Sequence, residues 1–122
     1  MRRDLDLVRR ILRSVADAPG PVEIGALTTA TEGRSKVGEH VRIMTEAGLL
    51  KASFFAADND PYSRVTISRL TWAGQDYLAA VRPDDVWEAV KAEGLRAGVE
   101  LTLDTVKALA SKAIARKLGL ED

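Results

Sequence analysis

A mainly helical fold with one small β-hairpin is what this sequence predicts, on three observations. Apolar residues recur at helical spacing over 5–18, 35–48 and 102–118, and two short segments rich in aromatic and β-branched residues, 51–57 and 64–70, flank a stretch of Asp, Asn and Pro. Proline and glycine stand where those segments should stop, at Pro19-Gly20-Pro21, Gly48 and Gly119.

The first helix places Leu5, Val8, Ile11, Leu12 and Val15 on one side and Arg9, Arg10 and Arg13 on the other, with Asp4 as its N-cap. Pro19-Gly20-Pro21 ends it, because proline cannot continue a helix. Val22-Glu23-Ile24 is long enough for one short strand. Residues 25–33 allow at best a two-turn second helix, since threonine is a mediocre helix former and glycine a poor one. From Ser35 the periodicity recovers through Val37, Val41 and Met44 and closes at Gly48. The hairpin arms are then Lys51 to Ala57 and Arg64 to Leu70, with 58–63 as the turn. In the second arm Val65, Ile67 and Arg69 are expected on one face and Thr66, Ser68 and Leu70 on the other.

Residues 72–81 predict a helix beginning near Thr71, and Pro83-Asp84-Asp85 opens the next, its carboxylates set against the positive end of the helix dipole. Gly94 and Gly98 weaken its tail. Thr102 caps a last helix whose stripe runs from Leu103 through Val106, Ala110 and Ala113 to Lys117, with Leu109, Ile114 and Leu118 beside it. Helix, strand, weak helix, glycine-terminated helix and hairpin is the order of a winged helix-turn-helix core. That core is assigned to 1–82, with 83–122 a helical extension that packs on it or mediates dimerisation. Trp72 and Trp87, near the starts of successive helices, are expected to lock those helices onto the core.

A length of 122 residues fits about one domain on a prior of roughly 100 to 200 residues. The 46% hydrophobic and 30% charged fractions are those of a folding chain rather than a disordered one. Cysteine is absent, which excludes disulfides and thiolate metal sites and makes the cytoplasm the simplest location. Acidic residues interrupt the N-terminus, so it lacks the apolar region of a secretory signal, and no apolar run approaches the roughly 20 residues of a membrane span.

Eighteen basic and eighteen acidic residues cancel, which excludes a strongly basic nucleic-acid binder. Charge is mildly segregated, at +2 for 1–20, +2 for 33–52 and −2 for 70–98. In a winged helix the helix before the hairpin is the one offered to the major groove. Drawn at about 100° per residue, residues 34–47 turn Val37, Val41 and Met44 inward and leave Ser35, Lys36, Glu39, Arg42 and Ile43 outward. The expected partner is therefore double-stranded DNA. Arg42 and Lys36 would meet guanine edges or phosphates, Ser35 would stand near the helix N-terminus, Glu39 would lie at the groove, and Arg64 would be a flanking phosphate contact. An ordinary solvated helix face is the competing reading of the same residues. Asp58 and Asp60 at the hairpin tip and the apolar Ile43 suit a protein partner, so a non-enzymatic interaction module is the alternative.

No catalytic, cofactor or metal constellation is visible. His40 is the single histidine, expected to be hydrogen-bonded at the core edge, and no glycine-rich phosphate loop or second titratable cluster accompanies it. Asp84-Asp85 reads as a helix start rather than an acid/base couple. The chain is therefore expected not to be an enzyme.

Three stretches carry a resemblance to a known family. They are Met1-Arg2-Arg3-Asp4-Leu5-Asp6-Leu7-Val8-Arg9-Arg10-Ile11-Leu12, Ile67 through Leu78, and Leu101-Thr102-Leu103-Asp104 continuing to Lys117-Leu118-Gly119-Leu120. With His40, Glu46-Ala47-Gly48-Leu49-Leu50 and Asp85-Val86-Trp87, they resemble the bacterial and phage domain of unknown function two-five-one-three nearly end to end. The resemblance implies a winged-helix-like fold in a prophage or mobile-element setting and no particular activity. Residues 25–36 depart from it, being threonine-rich where a more hydrophilic, glutamate-containing helix start is expected.

Overall fold

The computed structural model describes residues 2–120, which form five α-helices and a three-stranded antiparallel sheet. The chain divides into two compact units, Met1–Gln75 and Asp76–Asp122, and the division falls within a helix.

In the first unit, α1 (Leu5–Asp17) buries Val8, Ile11, Leu12 and Val15 as expected from its spacing, but Leu7 takes the place expected for Leu5, which is half-buried. Burial of each such side chain stabilises by about 1.5–3 kcal/mol. Asp4 caps it by accepting from the Leu7 N–H at 3.1 Å. β1 is only Val22–Glu23, and Ile24–Leu27 form one 3₁₀ turn rather than a second α-helix. Threonine chemistry explains the loss. The Thr28 hydroxyl donates to the Gly25 carbonyl at 3.0 Å, and the Thr29 hydroxyl accepts from the Glu32 N–H at 3.0 Å, giving the backbone local partners that compete with helix. Arg10 secures the segment from α1 by donating to the Leu27 carbonyl at 2.7 Å and to Glu32 at 3.1 Å.

α2 (Arg34–Glu46) buries Val37, Gly38, His40, Val41 and Met44 and ends at Gly48, whose φ of 78° is the left-handed conformation of a helix stop. β2 (Leu50–Ala57) and β3 (Asp60–Leu70) follow, and β3 is central, in the order β1-β3-β2. The turn is shorter than the expected 58–63. Asp58 and Asn59, with φ of 52° and 63°, form a two-residue connection, and Pro61 to Ser63 belong to the strand. Two positive φ values match the right-handed twist of the arms, and Asp and Asn tolerate them best after glycine.

The expected facings of Leu70 and Arg69 are also corrected, Arg69 being exposed on the side opposite Val65 and Ile67. Lys51 pairs with Arg69 but Ala52 with Ile67, so an extra residue bulges at Ser68 and returns Leu70 to the buried side with Val65 and Ile67. α3 (Trp72–Val81) starts where Thr71 accepts from the Gly74 N–H and donates to the Gly48 carbonyl. Trp72 is 84% exposed, against the expectation that it packs in the core. The inward face of α3 is Gly74, Tyr77, Leu78 and Val81, and Trp72 lies about 200° from Gly74 on the helix wheel. Gly74 sits so close to the Leu49 carbonyl that no larger residue fits, which fixes the rotation of α3 and turns Trp72 outward.

In the second unit, α4 (Asp84–Ala97) begins with Asp84 and Asp85 in its first turn and ends at Gly98, whose φ is 67°. α5 (Leu103–Lys117) is capped by Thr102, which accepts from the Thr105 N–H at 3.2 Å. Trp87 is buried within this unit's share of the chain, as a large apolar side chain was expected to be. Val106 and Ala110, the centre of the α5 stripe, are buried too, while Leu118 is exposed. Gly94 stands inside the continuous α4 for a packing reason, because the Leu101 side chain occupies the space a Cβ would need. Lys117 pairs with Asp85 at 3.0 Å, tying the end of α5 to the start of α4.

Candidate nucleic-acid interface

α2 carries four of the five expected contact residues, and the buried line of Val37, Val41 and Met44 decides which way they point. Ser35, Lys36 and Arg42 are exposed, and Glu39 is half-buried. Ile43 is half-buried as well, so it projects less than the wheel predicts.

The two cations of this face differ in what holds them. Lys36 donates to Asp4 at 2.9 Å and lies 3.4 Å from Glu32, one helical turn before it. Asp4 is held below the usual carboxylate range, first by its hydrogen bond from Lys36, and Lys36 is raised above the usual lysine value, first by Asp4. Much of the Lys36 charge is therefore already answered within the molecule.

Arg42 stands over the Phe54 ring, its guanidinium carbon 4.3 Å from the centroid and 5.6 Å from that of Tyr62. Phe54 and Tyr62 meet edge-on with centroids 6.5 Å apart, so strands β2 and β3 together build the platform. Burial pushes the Tyr62 hydroxyl up, and hydrogen bonding with Glu39 and Arg42 modifies it in opposite directions. Tyr62 can approach α2 because Gly38 has no side chain, a Cβ there lying 2.4 Å from the Tyr62 Cγ. A cation resting on a ring keeps donors along its edge, and its direction is set before any ligand arrives.

Arg64 is apart from this group. It pairs across the hairpin with Phe55, while Arg42 sits over Phe54, and successive strand residues face opposite sides of a sheet. Arg64 therefore belongs to the outward sheet face. Arg34 was not among the expected contacts and is drawn inward to the hairpin. It donates to the Tyr62 carbonyl at 2.5 Å and the Ser63 carbonyl at 2.7 Å, and lies 3.8 Å from Asp60, the tip carboxylate. No periodicity announces that contact, since its partners are main-chain oxygens.

His40 is fully buried and hydrogen-bonded at both nitrogens. The Asp4 N–H donates to Nε2 at 2.9 Å, and Nδ1 lies 2.8 Å from the Lys36 carbonyl. An amide can only donate and a carbonyl can only accept, so the proton resides on Nδ1 and the ring ties α1 to α2. Among the described residues no group of three or more metal-ligating side chains occurs, and no helix is long and apolar enough to cross a membrane.

No solved structure gives a significant match to the chain. An uncharacterised protein of Haemophilus influenzae is 29% identical over 122 residues, an alignment that covers 98% of this chain and 100% of that protein. The family model described as hypothetical protein (DUF2513) matches residues 2–100, which takes in the elements from α1 to α4 and stops before α5, and the chain belongs to that family.

Proposed function

We propose that this is a winged-helix protein that binds double-stranded DNA, a transcriptional regulator of phage or mobile-element type, with α2 in the major groove and the β2–β3 hairpin as the wing. The order of α1, β1, a 3₁₀ turn, α2 and a hairpin supports that reading, the second helix being reduced to the turn. The observation that carries it is Arg42, an exposed guanidinium on the outer side of α2 steadied by Phe54 and Tyr62. Its edge donors match the O6 and N7 pair of guanine or a phosphate. Ser35, Lys36 and Glu39 flank it on the same helix, and Lys36 exchanges Asp4 and Glu32 for phosphate oxygens on binding.

Anisotropy titration of labelled random duplexes at low salt tests the proposal. Arg42→Ala weakens binding by about 1–3 kcal/mol if Arg42 reads a base. Equal affinity of Arg42→Ala, Lys36→Ala and the parent across a salt series removes the reading. Two observations favour a second reading, a protein-interaction module on the same fold: Lys36 is already paired, and a tryptophan stands exposed at Trp72. Exposed tryptophans are frequent anchors at protein interfaces. A single stoichiometric protein partner, recovered together with no duplex binding at low salt, selects that reading.

A further inference from the structure

The side of the sheet turned away from α2 carries a different kind of surface. In the ladder, Phe55 faces Arg64, Ser53 faces Thr66 and Lys51 faces Arg69, and the inward members of the same strands are Phe54 with Val65 and Ala52 with Ile67. Phe55 is 61% exposed, and Lys51, Ser53, Arg64 and Arg69 are exposed with it. The two ends of the patch, Phe55 and Lys51, are about 13 Å apart along β2.

The electrostatics of this face differ from those of α2. Lys36 and Arg34 each have a carboxylate partner, whereas Lys51, Arg64 and Arg69 have no ion-pair partner among the described residues. Arg69 donates only to the neighbouring Leu70 carbonyl at 3.1 Å. β1 places one acid on this face, Glu23, which accepts from the Thr66 hydroxyl at 2.9 Å and pairs with none of the three cations. Three cations without an ion-pair partner, two of them arginines, thus share one outward sheet face with an exposed aromatic ring, Arg64 beside it and Lys51 and Arg69 at the far end. A phosphate chain answers the charge and a base answers the ring, whereas a duplex has its bases stacked away from such a ring.

We propose that the outward face of the sheet binds single-stranded nucleic acid, with a base stacked on Phe55 beside Arg64 and the backbone running along Lys51 and Arg69. This surface is separate from α2 and does not depend on the duplex reading.

The test is anisotropy of labelled oligothymidylate and oligouridylate with the full chain at low salt, over a salt series. Binding is expected with a slope of log affinity against log salt of about −2, for three phosphate contacts. Phe55→Leu, which keeps apolar bulk without a π face, is expected to weaken binding about ten-fold or more, and Phe55→Trp to retain it. Arg64→Gln and Lys51→Gln each flatten the salt slope, while Arg42→Ala leaves single-strand binding unchanged. All four positions are exposed, and an unchanged melting temperature confirms that the variants fold. No binding of either oligonucleotide at low salt overturns the proposal. So does equal binding by Phe55→Leu and the parent, or a loss in Arg42→Ala as large as that in Arg64→Gln, which would return the single strand to α2.

Discussion

Asp4 illustrates how much one residue can organise. Its N–H meets His40, one carboxylate oxygen caps Leu7, the other meets Lys36, and its carbonyl accepts from the Val8 N–H at 3.0 Å. The cap was legible from spacing, since a short acidic residue immediately preceded an apolar helical stripe. The bonds to His40 and Lys36 were not, because those residues lie 36 and 32 positions away. The ion pair has a pH signature. Asp4 titrates lower in the folded chain than its ordinary 3.8, so the unfolded chain binds the extra proton, and the pair's contribution is present above that value and lost as pH falls through the depressed one. Lys36 is raised above 10.5, so its contribution is present below that value and fades as pH climbs past it. Lys36→Gln is therefore expected to be less stable than the parent at neutral pH, the gap closing in acid below about pH 3.8 and narrowing with added salt. Urea melts across pH check this, and a gap constant down to pH values far below the ordinary carboxylate range refutes it.

Elements owe their positions to close approaches as much as to periodicity. The stripes of α1, α2 and α5 were readable because buried residues at intervals of three and four are a one-dimensional signal. The rotation of α3 was not. It hinges on Gly74, where an added Cβ would fall 1.8 Å from the Leu49 carbonyl oxygen, a main-chain atom with little room to retreat. Gly74→Ala is expected to destabilise by about 1–3 kcal/mol or more despite the better helix propensity of alanine, because overpacking against backbone exceeds the roughly 1 kcal/mol that alanine contributes. Thermal denaturation measures it, and a melting temperature at or above that of the parent shows the contact to be absent. The hairpin teaches a similar lesson. Asp58-Asn59-Asp60-Pro61 announced a turn, but only the register, with Ala57 opposite Asp60, located it in the first two of those residues.

At the scale of the whole chain, each compact unit holds one tryptophan, exposed at Trp72 in Met1–Gln75 and buried at Trp87 in Asp76–Asp122. Iodide is expected to quench the parent's emission in part. Trp72→Phe should leave a shielded, blue-shifted emission and Trp87→Phe an accessible, red-shifted one. Full quenching of Trp72→Phe contradicts the burial of Trp87. Element order, the helical stripes, the caps at Asp4 and Thr102, the stop at Gly48 and the family resemblance all follow from residues near one another in the chain, where spacing and local hydrogen bonding are decisive. Which cations stay unneutralised, which tryptophan is covered and which sheet face Arg64 and Leu70 occupy depended on partners distant in sequence. A bulge at Ser68, a carboxylate 32 residues from Lys36 and an aromatic platform under Arg42 leave no periodic trace. Contacts of that kind exist only once the chain has folded back on itself.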